Sequence, residues 1–127
     1  MQKKILIVED EALLLDALRD KLTREGFEIK QSKNGQEGLT MAFEQHPDLI
    51  LLDIMMPEMG GMEMLKELRE SQWGKTAKVI LLTNVSDFEK VKEGLDLKVT
   101  DYLVKSNWDI DALVKKIREK LGEISSS

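Results

Sequence analysis

The chain of 127 residues contains no cysteine, so neither a disulfide framework nor a thiolate metal site is open to it. That composition is compatible with a reducing cytoplasm. It also lacks a long apolar run. The stretch nearest its start, Ile5 to Val8, is too short for a secretory signal or a membrane span, so a cytoplasmic chain without membrane contact is expected. Positive charge is in deficit as well: 19 Lys and Arg against 24 Asp and Glu give a formal net charge of −5. Without a basic footprint no direct nucleic-acid binding is expected, although a local magnesium or phosphate site remains compatible with such a balance. There is no internal repeat, and the only low-complexity stretch is the terminal serine run, Ser125 to Ser127. Length and composition are those of one ordinary globular domain.

What is present is an alternation of short apolar runs with longer amphipathic ones, the pattern of an α/β domain with a parallel sheet. Strands are expected at Lys4 to Val8, Phe27 to Gln31, Leu49 to Asp53, Lys78 to Thr83 and Thr100 to Val104. Leu14, Leu18 and Leu22, with Leu15 beside them, predict a first helix over Glu11 to Glu25 closed by Gly26. A second helix should follow Asn34, turn Leu39, Ala42 and Phe43 inward, and stop before Pro47. The third, near Gly61 to Ser71, buries Met62, Leu65 and Leu68. The fourth starts near Ser86 or Asp87, either of which suits a cap, and contains Phe88 and Val91. The last runs from about Asp109 to Gly122 along a stripe of Leu113, Val114, Ile117 and Leu121. Residues 1–122 are thus read as one domain and 123–127 as a polar tail. Right-handed crossovers put helices on both faces and bring every strand's C-terminal end to one edge, where ligands bind in such sheets.

That edge is where the sequence becomes unusual. In "DLILLDIMMPEMGG", residues 48 to 61, an aliphatic run ends on a lone carboxylate, Asp53. Burying an ionised carboxylate costs several kcal/mol unless it is paired. Glu9 and Asp10 end the first strand, Thr83 the fourth and Lys105 the fifth. With a strand order of 2-1-3-4-5 the first and third strands are neighbours, and their acids converge at the topological switch point. Two carboxylates about 5 Å apart repel by roughly 3 kcal/mol at an effective dielectric of 20, so three together call for a cation. Oxygen ligands of this kind suit Mg2+ (or Mn2+), which keeps several waters and favours sites shared with a phosphate. Lys105 offers a compact positive charge and Thr83 a hydroxyl donor, both suited to a phosphoryl group.

"VEDE" at 8 to 11, "LLDIMMPEMGG" at 51 to 61, "LLTN" at 81 to 84 and "DYLVKS" at 101 to 106 resemble, in order and spacing, the signature blocks of the receiver domain of two-component response regulators. The resemblance implies a flavodoxin-like, doubly wound (βα)5 three-layer sandwich with a parallel sheet of order 2-1-3-4-5. It implies that Asp53 accepts a phosphoryl group from the phosphohistidine of a histidine kinase or histidine phosphotransfer protein. Glu9, Asp10, Asp53 and the backbone carbonyl of Met55 then match the magnesium ligands, and Thr83, Asn84 and Lys105 lie where the phosphoryl group is held. Tyr102 matches the aromatic switch residue, and Pro57 and Gly61 the turn into the third helix. The implied output is a protein-interaction surface around helix four, strand five and helix five, read by a downstream protein or an output domain. Such a domain assists its own phosphorylation and dephosphorylation without being an enzyme in the ordinary sense.

Plainer readings stand beside these. Glu9 and Asp10 taken alone are a helix cap. Thr83 taken alone is a β-branched strand residue, and Tyr102 fixed packing; Met55, Met56 and Met59 are adaptable apolar filler. His46 is a surface residue. A pseudo-receiver, binding partners without phosphorylation, is the main alternative, and retention of all five strand-end residues argues against it. A flavin protein on a similar sheet lacks its phosphate loop here, and an aspartyl phosphatase would need a second aspartate where Met55 stands. The chain departs from the family at four places. Ser106 follows Lys105 in place of a proline that is often cis, and the next loop is longer by Asn107, before Trp108. Asn84 replaces a small residue, which would restrict access to the phosphoryl site, and Lys98 replaces a glycine, which puts a left-handed cap there in doubt.

Overall fold

Three strands, β1 (Lys4–Val8), β3 (Leu49–Asp53) and β4 (Val79–Thr83), are almost continuously aliphatic, as strands covered on both faces must be. They form the middle of an all-parallel five-stranded sheet, with β2 (Glu28–Ser32) and β5 (Asp101–Val104) at its edges. The order is β2-β1-β3-β4-β5, the one that the family resemblance implied. Five helices alternate with the strands: α1 (Ala12–Arg24), α2 (Gly35–Gln45), α3 (Gly61–Glu70), α4 (Phe88–Asp96) and α5 (Ile110–Lys120). A 3-10 turn, Gly74–Thr76, precedes β4. The computed structural model describes residues 2–56, 59–84, 88–105 and 109–123. The expected caps Ser86 and Asp87, the Phe88 side chain, Pro57, the Ser106 to Trp108 loop and residues 124–127 of the tail lie outside the described residues.

The period of two along each strand divides the core. Ile5, Ile7, Leu49, Leu51, Ile80 and Leu82 pack against α1 through Leu15, Leu18 and Leu22, and against α5 through Leu113, Val114 and Ile117. Their neighbours Leu6, Val8, Ile50, Leu52, Val79 and Leu81 pack against α2, α3 and α4 through Leu39, Ala42, Leu65, Leu68 and Val91. The result is three layers, each aliphatic side chain in the sheet contributing about 1.5–3 kcal/mol by leaving water.

Helix ends obey local chemistry. Asn34 caps α2 by accepting the Glu37 amide at 2.8 Å, and Asp109 caps α5 through the amides of Asp111 and Ala112. At the end of α1 the amides of Gly26 and Phe27 return to the carbonyls of Thr23 and Leu22, with Gly26 at φ +96°. The same pair of bonds closes α4, from Lys98 to Leu95 and from Val99 to Gly94, so Lys98 takes the left-handed conformation at φ +60° although it is not glycine. The cap that the sequence put in doubt is therefore formed. Arg69 braces it, donating to the carbonyls of Leu97 (2.7 Å) and Lys98 (3.1 Å) as well as to those of Gly74 and Ala77.

One inward assignment fails. Phe43 is 40% exposed, because the buried stripe of α2 runs along Gly35, Gly38, Leu39 and Ala42, and the two glycines centre the helix contact away from it. His46, exposed at the end of α2, stacks on Trp73 with ring centroids 4.4 Å apart.

Candidate functional site

The registers bring the strand ends level: Val8 pairs with Leu52, Asp53 with Leu82, and Thr83 with Val104. Asp53 is therefore the last residue of a fully buried strand, and Glu9, Asp10 and Lys105 follow directly on the ends of β1 and β5. Carboxylate oxygens of Glu9, Asp10 and Asp53 lie within 4.8 Å of one another. Glu9 is fully buried, Asp53 nearly so at 3% exposure, and Asp10 opens to solvent. Lys105 Nζ sits 3.0 Å from Glu9 Oε1 and 3.0 Å from Asp53 Oδ2. The other oxygen of each is held by backbone: Glu9 Oε2 accepts the Glu11 amide at 3.0 Å, and Asp53 Oδ1 the Met55 amide at 3.2 Å. Glu9 thus holds the backbone just before α1 but does not cap it: the N-cap residue is Glu11, and no side chain makes the cap bond there.

The electrostatics of the cluster follow from its burial. Burial pushes the Glu9 carboxyl up to about 7, with nearby Asp53 adding to the effect and the Glu11 amide opposing it. Burial also raises Asp53, against the pull of Lys105 and the Met55 amide. Burial alone would lower Lys105, but Asp53 and Glu9 hold its proton and raise it. One ammonium faces three carboxylates, and Glu9 Oε1, although close to Nζ, has no aligned hydrogen-bond donor. A small divalent cation that prefers oxygen ligands and keeps waters fits this donor set, with Asp10 on the solvent side.

The remaining predicted residues lie around this cluster. Thr83 is buried beyond the pairing partner of Asp53 in β4, and its hydroxyl donates to the Asn84 carbonyl at 3.0 Å. Asn84 is exposed, as is Met55, whose side chain stands outward while its amide serves Asp53. Tyr102 is 38% exposed on β5 beside Leu81. Two residues that the sequence reading did not single out also matter. Arg69 is a hub of backbone contacts, and Gly35 donates its amide to the Met59 carbonyl at 3.1 Å, touching the loop after Asp53. The only signal for Gly35 was the Asn34-Gly35 pair, which reads simply as a turn.

A model of the response regulator receiver domain matches residues 5–118. The chain belongs to this family. The receiver domain is 38% identical over 115 residues to the response regulator ArlR of Staphylococcus aureus, a match covering 91% of this chain and 51% of that protein. It therefore spans about half the length of the curated relatives it matches. Among solved structures it resembles the chemotaxis response regulator CheY4 of Vibrio cholerae, with a TM-score of 0.87, 28% identity and coverage of 94% of this chain and 99% of that one. A receiver domain of a sensor histidine kinase from Pseudomonas aeruginosa PAO1, solved with a magnesium ion coordinated in its active site cleft, shares the fold at a TM-score of 0.87. That likeness covers 96% of this chain and 99% of the other at 24% identity. Among the described residues no helix of the receiver domain is long and apolar enough to cross a membrane.

Proposed function

We propose that this receiver domain takes a phosphoryl group onto Asp53 from a phosphohistidine of a histidine kinase or phosphotransfer protein. The observation that carries the reading is the buried Asp53 carboxylate, fixed by the Met55 amide and by Lys105 Nζ at 3.0 Å inside a cluster with an acidic excess. An Asp53 oxygen attacks phosphorus, the P–N bond to the imidazole breaks, and its electron pair stays on the leaving nitrogen, which takes up a proton. Glu9, Asp10, Asp53 and the Met55 carbonyl would hold Mg2+, which when bound supplies positive charge against the phosphoryl oxygens. Lys105 gives the same oxygens a fixed ammonium, and Thr83 and Asn84 offer donors from the end of β4. Attack of water on phosphorus later returns the free carboxylate.

Output follows from the charge gained. The acyl phosphate adds acceptor oxygens beside Thr83; turning the hydroxyl toward them means giving up its bond to the Asn84 carbonyl. Tyr102, half exposed on β5, is the side chain placed to respond, shifting the population of an interaction surface on α4, β5 and α5. The recipient is a downstream protein or an output domain.

The test is transfer of radiolabelled phosphoryl from a phosphohistidine protein to the wild type and to Asp53→Asn, with and without Mg2+. Label that needs both Asp53 and Mg2+ supports the reading. A wild type that stays unlabelled while a control receiver is labelled would make this chain a phosphorylation-independent binding module.

A further inference from the structure

The loop that leaves Asp53 is held at two places. Its base is tied to the sheet: the Ile54 amide donates to the Leu82 carbonyl at 3.1 Å, and the Gly61 amide returns to the Ile54 carbonyl at 3.0 Å. Its far side crosses the first turn of α2, where the Met59 carbonyl accepts the Gly35 amide at 3.1 Å. Gly35 is the first residue of α2, and the amides of a helix's first turn have no partner within the helix. Asn34 satisfies one other, taking the Glu37 amide on its side chain. The Gly35 amide goes to the loop instead, with the positive end of the helix dipole behind it.

The approach leaves no room for a side chain. A Cβ on Gly35 would run into the Met59 carbonyl oxygen and stand 3.0 Å from Met59 Cγ. Gly35 is not in the left-handed region, so glycine is required there for space and not for backbone freedom. Between the two fixed points lies Met55, whose amide holds Asp53 Oδ1.

We propose that Gly35 is a positioning residue for the phosphoryl-transfer site: its contact with Met59 fixes the loop that sets the Met55 backbone, and so the cation-binding and Asp53 geometry. This rests on the reading of Asp53 as phosphoacceptor. Gly35 touches neither the phosphoryl group nor the cation, and it acts only through the loop.

The test compares the wild type with Gly35→Ala for Mg2+ affinity by calorimetry and for phosphorylation rate with phosphoramidate, a nitrogen-linked phosphoryl donor. The proposal expects the Mg2+ Kd to rise about tenfold or more, as for groups that orient metal ligands from outside the ligand set. Gly74→Ala is the control for lost stability alone: its Cβ would strike the Leu68 carbonyl before the start of β4, at the sheet edge opposite Asp53, and its Mg2+ Kd should stay that of the wild type. Because either variant can fail to fold, hydrogen exchange of the wild-type Gly35 amide is measured with and without Mg2+. Coupling is reciprocal, so Mg2+ should slow that exchange about fivefold or more while the Gly74 amide is unchanged. A wild-type Mg2+ Kd in folded Gly35→Ala, or exchange at Gly35 indifferent to Mg2+, overturns the proposal. A wild type that binds Mg2+ but takes no phosphoryl group from any donor overturns the functional reading instead, and the proposal with it.

Discussion

Lowering the pH should weaken Mg2+ binding, with Glu9, whose carboxyl is held highest, setting the range. Its carboxyl is pushed from 4.5 to about 7 because it is fully buried beside Asp53. Below that value the metal-free protein carries a proton on Glu9 that must leave before the oxygen can face a cation. The apparent Kd is then multiplied by about 11 at pH 6 and by about 1.1 at pH 8, a tenfold difference worth about 1.4 kcal/mol. The sign for stability follows from the same shift. In the unfolded chain Glu9 titrates at its ordinary value, so between about pH 4.5 and 7 the folded, metal-free protein binds more protons than the unfolded one. Its stability is therefore fullest below that window and falls as the pH rises through it. Isothermal titration calorimetry in buffers of different ionisation enthalpy measures the Kd and the protons released on binding, and urea denaturation across the same pH range measures the stability. The expected result is release of nearly one proton per Mg2+ at pH 6 and almost none at pH 8, with the Kd ratio above. Equal Kd values and no proton release at pH 6 would mean instead that Glu9 is ionised without a cation, contrary to the effect of its burial.

Other perturbations follow from the same contacts. Lys105→Met removes the ammonium 3.0 Å from Glu9 and Asp53 and should cost the metal-free protein about 3 kcal/mol in urea denaturation, with added Mg2+ restoring more stability than in the wild type; an unchanged midpoint would contradict the ion-pair account. Lys98→Gly should stabilise by about 1 kcal/mol, since the left-handed φ of +60° costs a lysine what glycine does not incur, and a destabilised variant would contradict this. Arg69→Met removes the donor from four carbonyls, of which only that of Gly74 keeps another among the described residues, the Ala77 amide, and should cost about 2–4 kcal/mol by the same assay, with Arg69→Lys recovering only part because an ammonium cannot span them.

Much of this architecture could be read from the chain. The strands lie within a residue of their expected bounds, and β3 coincides with Leu49 to Asp53, because a strand covered on both faces leaves an aliphatic run that few other elements produce. The acids were legible for the complementary reason: Asp53 ends such a run, and Glu9 and Asp10 end another, where a buried core has no use for charge. Bringing these acids to Lys105 needed only the strand order. What escaped depends on contacts between distant backbone atoms. The four carbonyls of Arg69 belong to segments up to 29 residues away and leave no periodic trace. Gly35 looks like any turn glycine until the Met59 carbonyl is seen against it. Phe43 satisfied helical spacing, but the glycines of α2 moved the buried stripe off it. Lys98 takes its left-handed turn because Arg69 and the closing bonds of α4 outweigh its steric cost.

Intact-mass analysis decides whether Asp53 is a magnesium-dependent phosphoacceptor. Wild type and Asp53→Asn are incubated with acetyl phosphate, with Mg2+ or with chelator. One phosphoryl adduct is expected on the wild type, abolished by chelator and absent from Asp53→Asn. An adduct that survives in Asp53→Asn, or none on the wild type under conditions that phosphorylate a control receiver, would contradict that role of Asp53.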